Sequence, residues 1–290
     1  MNTYLSRRYD PALVRGDFAG ALDRPHDLDQ ARELLRALDL PDEETRRYFE
    51  QHLERLAYTL SLVPPSRTSG RILELGCYMQ ITPFLKLWRG YNDVRGAYYG
   101  PAGHTDRKNA GVRGERFEVL VDLFDAERDC YPYADGSFET VLACELIEHL
   151  VSDPMHLLLE CRRILEEGGR LLVTTPNAAS LACVAHALHG YDSPQLYAQY
   201  SRPKPDSPVE LPHVREYTAH ELRSTLEAAG FWIESLHTEH TAGFESNEPV
   251  RRLLEENGYN SALRGEQTFC IAVKRSSLHV TRYPRFLYSD

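Results

Sequence analysis

The chain has no C-x-x-C pair. Its six cysteines, Cys77, Cys130, Cys144, Cys161, Cys183 and Cys270, are scattered, and most fall inside expected strands or helices. They read as reduced, packed thiols. Twelve histidines never form H-x-x-x-H or H-E-x-x-H, so no metal centre is expected from the spacing. No apolar run reaches bilayer-spanning length, and the opening "MNTYLSRRYDPALVRGDF" lacks the apolar stretch of a secretory signal. A cytoplasmic protein without membrane insertion is expected. An excess of basic residues is missing as well: 33 Lys+Arg against 43 Asp+Glu leave a formal charge of -10, which argues against a sequence-independent nucleic-acid binder. There is no internal repeat, no low-complexity tract and no Ser-His-Asp or Cys-His signature.

What remains is an ordinary globular composition, 42% hydrophobic and 26% charged, on a chain of 290 residues that can bury a full core. Within residues 1–69, Phe49, Leu53, Leu56 and Leu60 recur at helical steps until Pro64-Pro65 stop them, predicting an N-terminal helical cap. From Arg71 short apolar runs alternate with helical stretches: "RILEL", "DVRGAYY", "FEVLVDL", "FETVLAC", "RLLVTT", "FWIESLHT" and "TFCIAVK". That alternation predicts an α/β fold, a doubly wound sheet of seven mostly parallel strands covered by helices on both faces. Helix punctuation agrees. Thr82-Pro83 and Asp153-Pro154 read as a cap followed by a first-turn proline, Gly168-Gly169 as the end of "LLLECRRILEE", and Thr218 with Glu221 as a capping box. Residues 190–217, rich in proline and tyrosine, break the rhythm as a long insertion and possible substrate lid. Residues 276–290 form a tail.

Three stretches in order, "RILELGC", "DAERDCYPYADGSFETVLACELIEHL" and "ECRRILEEGGRLLVTTPN", resemble the class I S-adenosylmethionine (SAM) dependent methyltransferases of the type 11, UbiE/UbiG-like group, over roughly residues 70–275. "HVREYTAHELRSTLEAAGF" is similar to the C-terminal part of members associated with glycan or secondary-metabolite pathways. The resemblance implies a Rossmann-like fold whose strand ends hold SAM. It places Glu74, Gly76, Cys77 and Tyr78 at the methionine end of the cofactor, Tyr98 and Tyr99 at the ribose, Asp125 and Ala126, with Glu127 close by, at the adenine, and Cys144, Glu145 and His149 near the sulfonium. Asp125 can also be a simple loop acid. Glu139, after Phe138, stands where an Asp is usual, and Thr174–Asn177 rim the same crevice.

The chain departs from the family pattern in two places. Tyr78 and Gln80 replace glycines of the acid-x-Gly-x-Gly-x-Gly loop, and Tyr98 replaces the acid that accepts from both ribose hydroxyls. A phenol accepts less well than a carboxylate. Two readings therefore stand. One is a methyltransferase acting on a small-molecule or glycan acceptor, at oxygen or nitrogen, with His149, Glu145 and His213 as candidate bases for a hydroxyl acceptor. The other is a noncatalytic protein of the same fold that binds a ligand or a protein partner. A Rossmann oxidoreductase is disfavoured because G-x-G-x-x-G is absent. Tyr191, Tyr197, Tyr200 and Tyr217 could present flat faces to an acceptor or merely pack the insertion. Arg202, Lys204 and Arg215 could meet an anion or be solvated surface.

Overall fold

The computed structural model of the protein describes residues 27–40, 42–190, 212–241 and 247–288, without the side chain of residue 44. Its strands are β1 (Leu38–Asp39), β2 (Arg71–Leu75), β3 (Asp93–Tyr98), β4 (His104–Val112), β5 (Glu115–Leu123), β6 (Phe138–Cys144), β7 (Leu165–Pro176), β8 (Phe231–Glu239) and β9 (Gln267–Lys274). The helices are α1 (Leu28–Leu35), α2 (Glu43–Leu62), α3 (Thr82–Leu87), α4 (Pro154–Ile164), α5 (Leu181–His189), α6 (Ala219–Ala228) and α7 (Glu248–Glu256).

The alternation of side chains along each strand sets the layers. Ile72, Leu142, Leu172 and Ile271 point to one face of the sheet, where they meet Phe49, Leu56 and Leu60 of α2 and Phe84 of α3. Their neighbours Leu73, Val141, Leu171 and Ala272 point to the other, against Leu158 and Cys161 of α4 and Leu222 and Leu226 of α6. Strands buried on both faces have no polar side to show, hence the continuous apolar runs in the sequence. The N-terminal stripe is thus the twenty-residue helix α2, which covers one face of the sheet.

The sheet order is β1-β4-β5-β3-β2-β6-β7-β9-β8. β2 runs parallel to β3 and β6, β3 to β5 and β6 to β7, while β9 lies antiparallel between β7 and β8. The doubly wound, mostly parallel architecture is as expected, with nine strands instead of seven. Both extra strands lie at one edge, where β4 folds back on β5 through Arg113-Gly114 and β1 adds two residues to β4. Arg113 and Gly114 both have positive φ, 52° and 79°, as a two-residue type I′ hairpin turn requires. β4 was not foreseen because "HTDRKNAGV" carries no apolar alternation. Its polarity suits a largely exposed strand near the sheet edge.

Three local expectations change. α4 stops at Ile164 and Leu165 already pairs with Phe138, so "LEEGG" opens β7 instead of closing the helix. A Cβ on Gly169 would sit 2.9 Å from the Glu166 carbonyl oxygen, which explains that glycine as a close backbone approach. Strand β3 ends at Tyr98, leaving Tyr99 outside it. Thr82 caps nothing: the N-cap position of α3 is Ile81, without a side-chain bond, and the Thr82 hydroxyl is used elsewhere. Asp153 and Thr218 cap as expected. Asp153 accepts from His156 N at 3.2 Å, and Thr218 and Glu221 form the reciprocal box at 3.1 and 3.2 Å. Tyr191, Tyr197, Tyr200, Arg202 and Lys204 lie outside the described residues.

Gly96 in β3 is the tightest point under the loop that follows β2. A Cβ there would lie 2.8 Å from Cys77 Sγ and 3.0 Å from Val121 Cγ2. Gly96→Ala should therefore destabilise the protein by about 1–3 kcal/mol in urea unfolding. Cys77 Cβ would also lie 2.9 Å away, so the loss should be smaller when measured in a Cys77→Gly background, and additive costs would show that the Cys77 side chain is not the obstacle.

Candidate active site at the carboxyl edge of the sheet

Sheet order reverses between β2 and β6, and in open α/β sheets ligands lie beyond the strand ends at such a point. The first acid there is Glu74. It is buried, accepts from Thr82 Oγ1 at 2.6 Å, and takes part in no ion pair among the described residues. Burial pushes its carboxyl up to about 7, partly offset by the Thr82 hydroxyl. Gly76 follows at φ 69°, with open space where a Cβ would be, and Met79 also turns left-handed at φ 67°.

Cys77 faces inward. Its thiol is fully buried against Thr82 and Met79, burial pushes it up to about 12, its N–H donates to Ala97 O at 3.0 Å, and its carbonyl accepts from Lys108 Nζ at 3.0 Å. The residue thus shapes the loop and presents no polar atom to a ligand. Tyr78, 65% exposed, stands over the loop, and Tyr98 OH donates to Tyr78 OH at 3.1 Å with the two rings edge-on. Lys108 lies 4.0 Å over the Tyr98 ring. The unforeseen strand β4 thereby braces the turn that lost its glycines. Tyr99 is exposed beside them.

Asp125 is half-buried just beyond β5. Its Oδ1 accepts from Glu127 N at 2.9 Å, its N–H donates to Asp129 Oδ2 at 2.8 Å, and the Ala126 carbonyl accepts from Tyr131 OH at 3.0 Å. This leaves Asp125 Oδ2 for a donor from a ligand. Glu127 does not offer a second carboxylate there: it is buried and accepts from the backbone N–H groups of Ser152 and Asp153. Glu139 is likewise structural, taking the Arg67 N–H at 2.6 Å and the Ser66 hydroxyl at 2.8 Å.

At the end of β6, burial pushes the Cys144 thiol up. Glu145 holds φ 51° and is fully engaged: Thr174 Oγ1 donates to it at 2.7 Å, Gln267 Nε2 also donates, and Arg55 Nη1 of α2 lies 3.3 Å away. Burial works against the Arg55 charge, but the neighbouring Glu145 holds its pKa above the ordinary value. His149 and His213 come together with ring centroids 4.8 Å apart. Thr175 bonds Glu148, a buried acid whose pKa burial and Glu145 raise well above the ordinary value. Asn177 donates to the backbone at Leu263 and Gly265, and Tyr217 is buried while Arg215 pairs with Glu221. These last three are packing residues.

A family model described as a methyltransferase domain matches residues 42–236. The chain belongs to this methyltransferase family. A probable S-adenosylmethionine-dependent methyltransferase of Mycolicibacterium smegmatis is 34% identical over 124 residues, 42% of this chain and 40% of that protein. Another, from Mycobacterium tuberculosis, is 32% identical over 111 residues, 38% of this chain and 33% of its own length. The alignment thus spans well under half of these curated relatives. Among solved structures, a chain of the complex between the Haloferax volcanii Trm112 methyltransferase activator and a methyltransferase superposes with a TM-score of 0.52 at 14% identity, covering 88% of this chain and 99% of that one. At such identity the likeness is one of fold, and it is the Rossmann-like methyltransferase fold.

Lys108, Arg55 and Glu148 are the site residues that sequence reasoning missed. Glu148 was in view, three residues after Glu145 in "ELIEHL". Arg55 sits on the helical stripe's flank, and only the placement of α2 aims it at Glu145.

The raised Glu74 pKa makes a stability prediction. In the unfolded chain the carboxyl loses its proton near 4.5, whereas the folded state keeps it to about 7. Its contribution is therefore full below about 4.5 and is lost as pH rises through 7. Glu74→Gln, which can still accept from Thr82, should gain roughly 2–4 kcal/mol relative to the natural protein between pH 4.5 and pH 8. A stability difference in chemical unfolding that stays flat with pH would mean that Glu74 titrates normally.

Proposed function

We propose that this chain transfers a methyl group from S-adenosylmethionine to a small-molecule or glycan acceptor, at oxygen or nitrogen. The observation that carries this reading is the buried Glu74 at the sheet's switch point, without an ion partner among the described residues and facing a turn left open at Gly76. A buried carboxylate in that state is suited to a ligand that brings its own positive charge, and the family match supplies the class of ligand. SAM when bound supplies an electrophilic methyl on a sulfonium. The chain's part is alignment, exclusion of water and removal of the acceptor's proton.

In this reading Glu74 and the Gly76 turn hold the methionine end. The Tyr98–Tyr78 pair meets the ribose with one shared hydroxyl network in place of a carboxylate, and Asp125 Oδ2 accepts from the adenine amino group. Glu145 positions the end of β6, since Thr174, Gln267 and Arg55 already occupy it. His149 and His213 are left as the groups that can take a proton from a hydroxyl acceptor. Tyr78 OH bonded to Tyr98 OH also favours a second reading, in which the pair closes the ribose position and the domain binds some other ligand or a protein.

Calorimetric titration with SAM and with S-adenosylhomocysteine separates the two. Micromolar binding of both is expected. Asp125→Asn keeps the turn bond to Glu127 but loses the accepting charge, and should weaken both ligands about tenfold, roughly 1.4 kcal/mol, with an unchanged melting temperature. Folded, ligand-free protein that binds neither compound would leave the noncatalytic reading.

A further inference from the structure

Glu148 has a geometry that methyl transfer does not explain. Its side chain is fully buried in the turn Ile147–His149, and while Oε2 accepts from Thr175 Oγ1 at 3.0 Å, Oε1 has no hydrogen-bond partner among the described residues. A buried carboxylate oxygen left in that condition calls for a positive charge or a donor. Two imidazoles stand next to it. One oxygen of Glu148 and one ring nitrogen each of His149 and His213 lie within 4.8 Å of one another.

The histidines are held as ligands are held. His149 Nδ1 lies 3.3 Å from the Pro212 carbonyl oxygen, and His213 Nδ1 lies 3.0 Å from Glu216 Oε1. A carbonyl or carboxylate oxygen can only accept, so each bond places a proton on Nδ1, and in the neutral ring the lone pair is then on Nε2. Outer oxygen acceptors of this kind fix the tautomer and aim of metal-binding imidazoles. The backbone stitches the two segments together: Val214 N and Arg215 N donate to Glu148 O at 2.8 and 3.1 Å.

We propose that Glu148, His149 and His213 form a three-ligand site for a divalent transition ion of the zinc or cobalt type. Two neutral imidazoles and one carboxylate suit such an ion better than magnesium or calcium, which take oxygen ligands. Bonds of about 2.0–2.2 Å require the three donors to draw together on binding. Three protein ligands leave a position open for an oxygen from water or from an acceptor. The site stands by itself. Only the ion's role rests on the methyl-transfer reading: an acceptor hydroxyl bound there becomes more acidic, and the imidazoles, committed to the ion, no longer serve as bases. Searching for H-x-x-x-H misses the set because its donors are an adjacent Glu-His pair and a histidine from a distant segment.

The test is titration of metal-stripped full-length protein with Co2+, read by its visible ligand-field bands, then competition with Zn2+. SAM binding is measured in parallel. One equivalent of Co2+ displaced by one of Zn2+ is expected, with Glu148→Gln and His213→Ala each weakening it at least tenfold and the exposed His104→Ala leaving it unchanged. Should His213→Ala fail to fold, Glu216→Gln, which loosens the hold on Nδ1, should still weaken Co2+ measurably. Absent bands, or weak multiple binding indifferent to these substitutions, overturns the site. SAM binding without Co2+ binding overturns the metal alone, whereas Co2+ binding without SAM keeps the site and removes its role at a methyl acceptor.

Discussion

A parallel sheet buried on both faces cannot use those faces for chemistry, and this constraint governs the whole molecule. Ile72 and Leu142 commit one side of β2 and β6 to α2 and α3, and Leu73 and Val141 commit the other to α4 and α6. Polar groups are driven to the strand ends. At the carboxyl edge, where β3 and β6 flank β2, the backbone turns away on both sides and leaves space. Glu74, Tyr98, Asp125 and Glu145 reach that edge because each stands at or just beyond the last residues of β2, β3, β5 or β6.

Buried charge at this edge is managed in two ways. Glu145 is paired and saturated, with Arg55, Thr174 and Gln267 around it, so its left-handed backbone is held by contacts on three elements. Glu74 and Glu148 instead take part in no ion pair among the described residues: Glu74 is met by the Thr82 hydroxyl, and Glu148 by the Thr175 hydroxyl on one oxygen while its Oε1 has no hydrogen-bond partner among them. Leaving a buried acid incomplete costs stability, and it persists most readily where a ligand completes it. The contrast separates acids that build the crevice from acids that await something within it.

Much of the fold was legible in the sequence, because "RILEL", "FETVLAC" and "TFCIAVK" are short apolar runs and the α2 stripe keeps helical spacing over four residues. β4 was not, since a polar edge strand is recognised only by the neighbour it pairs with. Thr82 shows a different limit. A threonine before a proline has the same letters whether its hydroxyl caps a helix or serves a buried acid one strand away, and only the position of Glu74 decides. The strand ends were readable, so Glu74, Tyr98 and Asp125 stand at or just beyond the ends of β2, β3 and β5 where the sequence put them. Whether a side chain points in or out was not: Cys77 and Glu127 turn into the protein, and Arg55 and Lys108 arrive from elements that the local sequence does not tie to the site.

The Lys108 bridge has a thermodynamic consequence. A glycine-rich turn is loose until a ligand orders it, so part of its backbone entropy is surrendered in the act of binding. Here the turn is already fastened by the Lys108 ammonium on the Cys77 carbonyl and by the Tyr78–Tyr98 contact. Its disorder is given up during folding, before any ligand arrives. A ligand binding to such a turn would incur a smaller ordering penalty and would meet a shape fixed by a hairpin that lies outside the crevice.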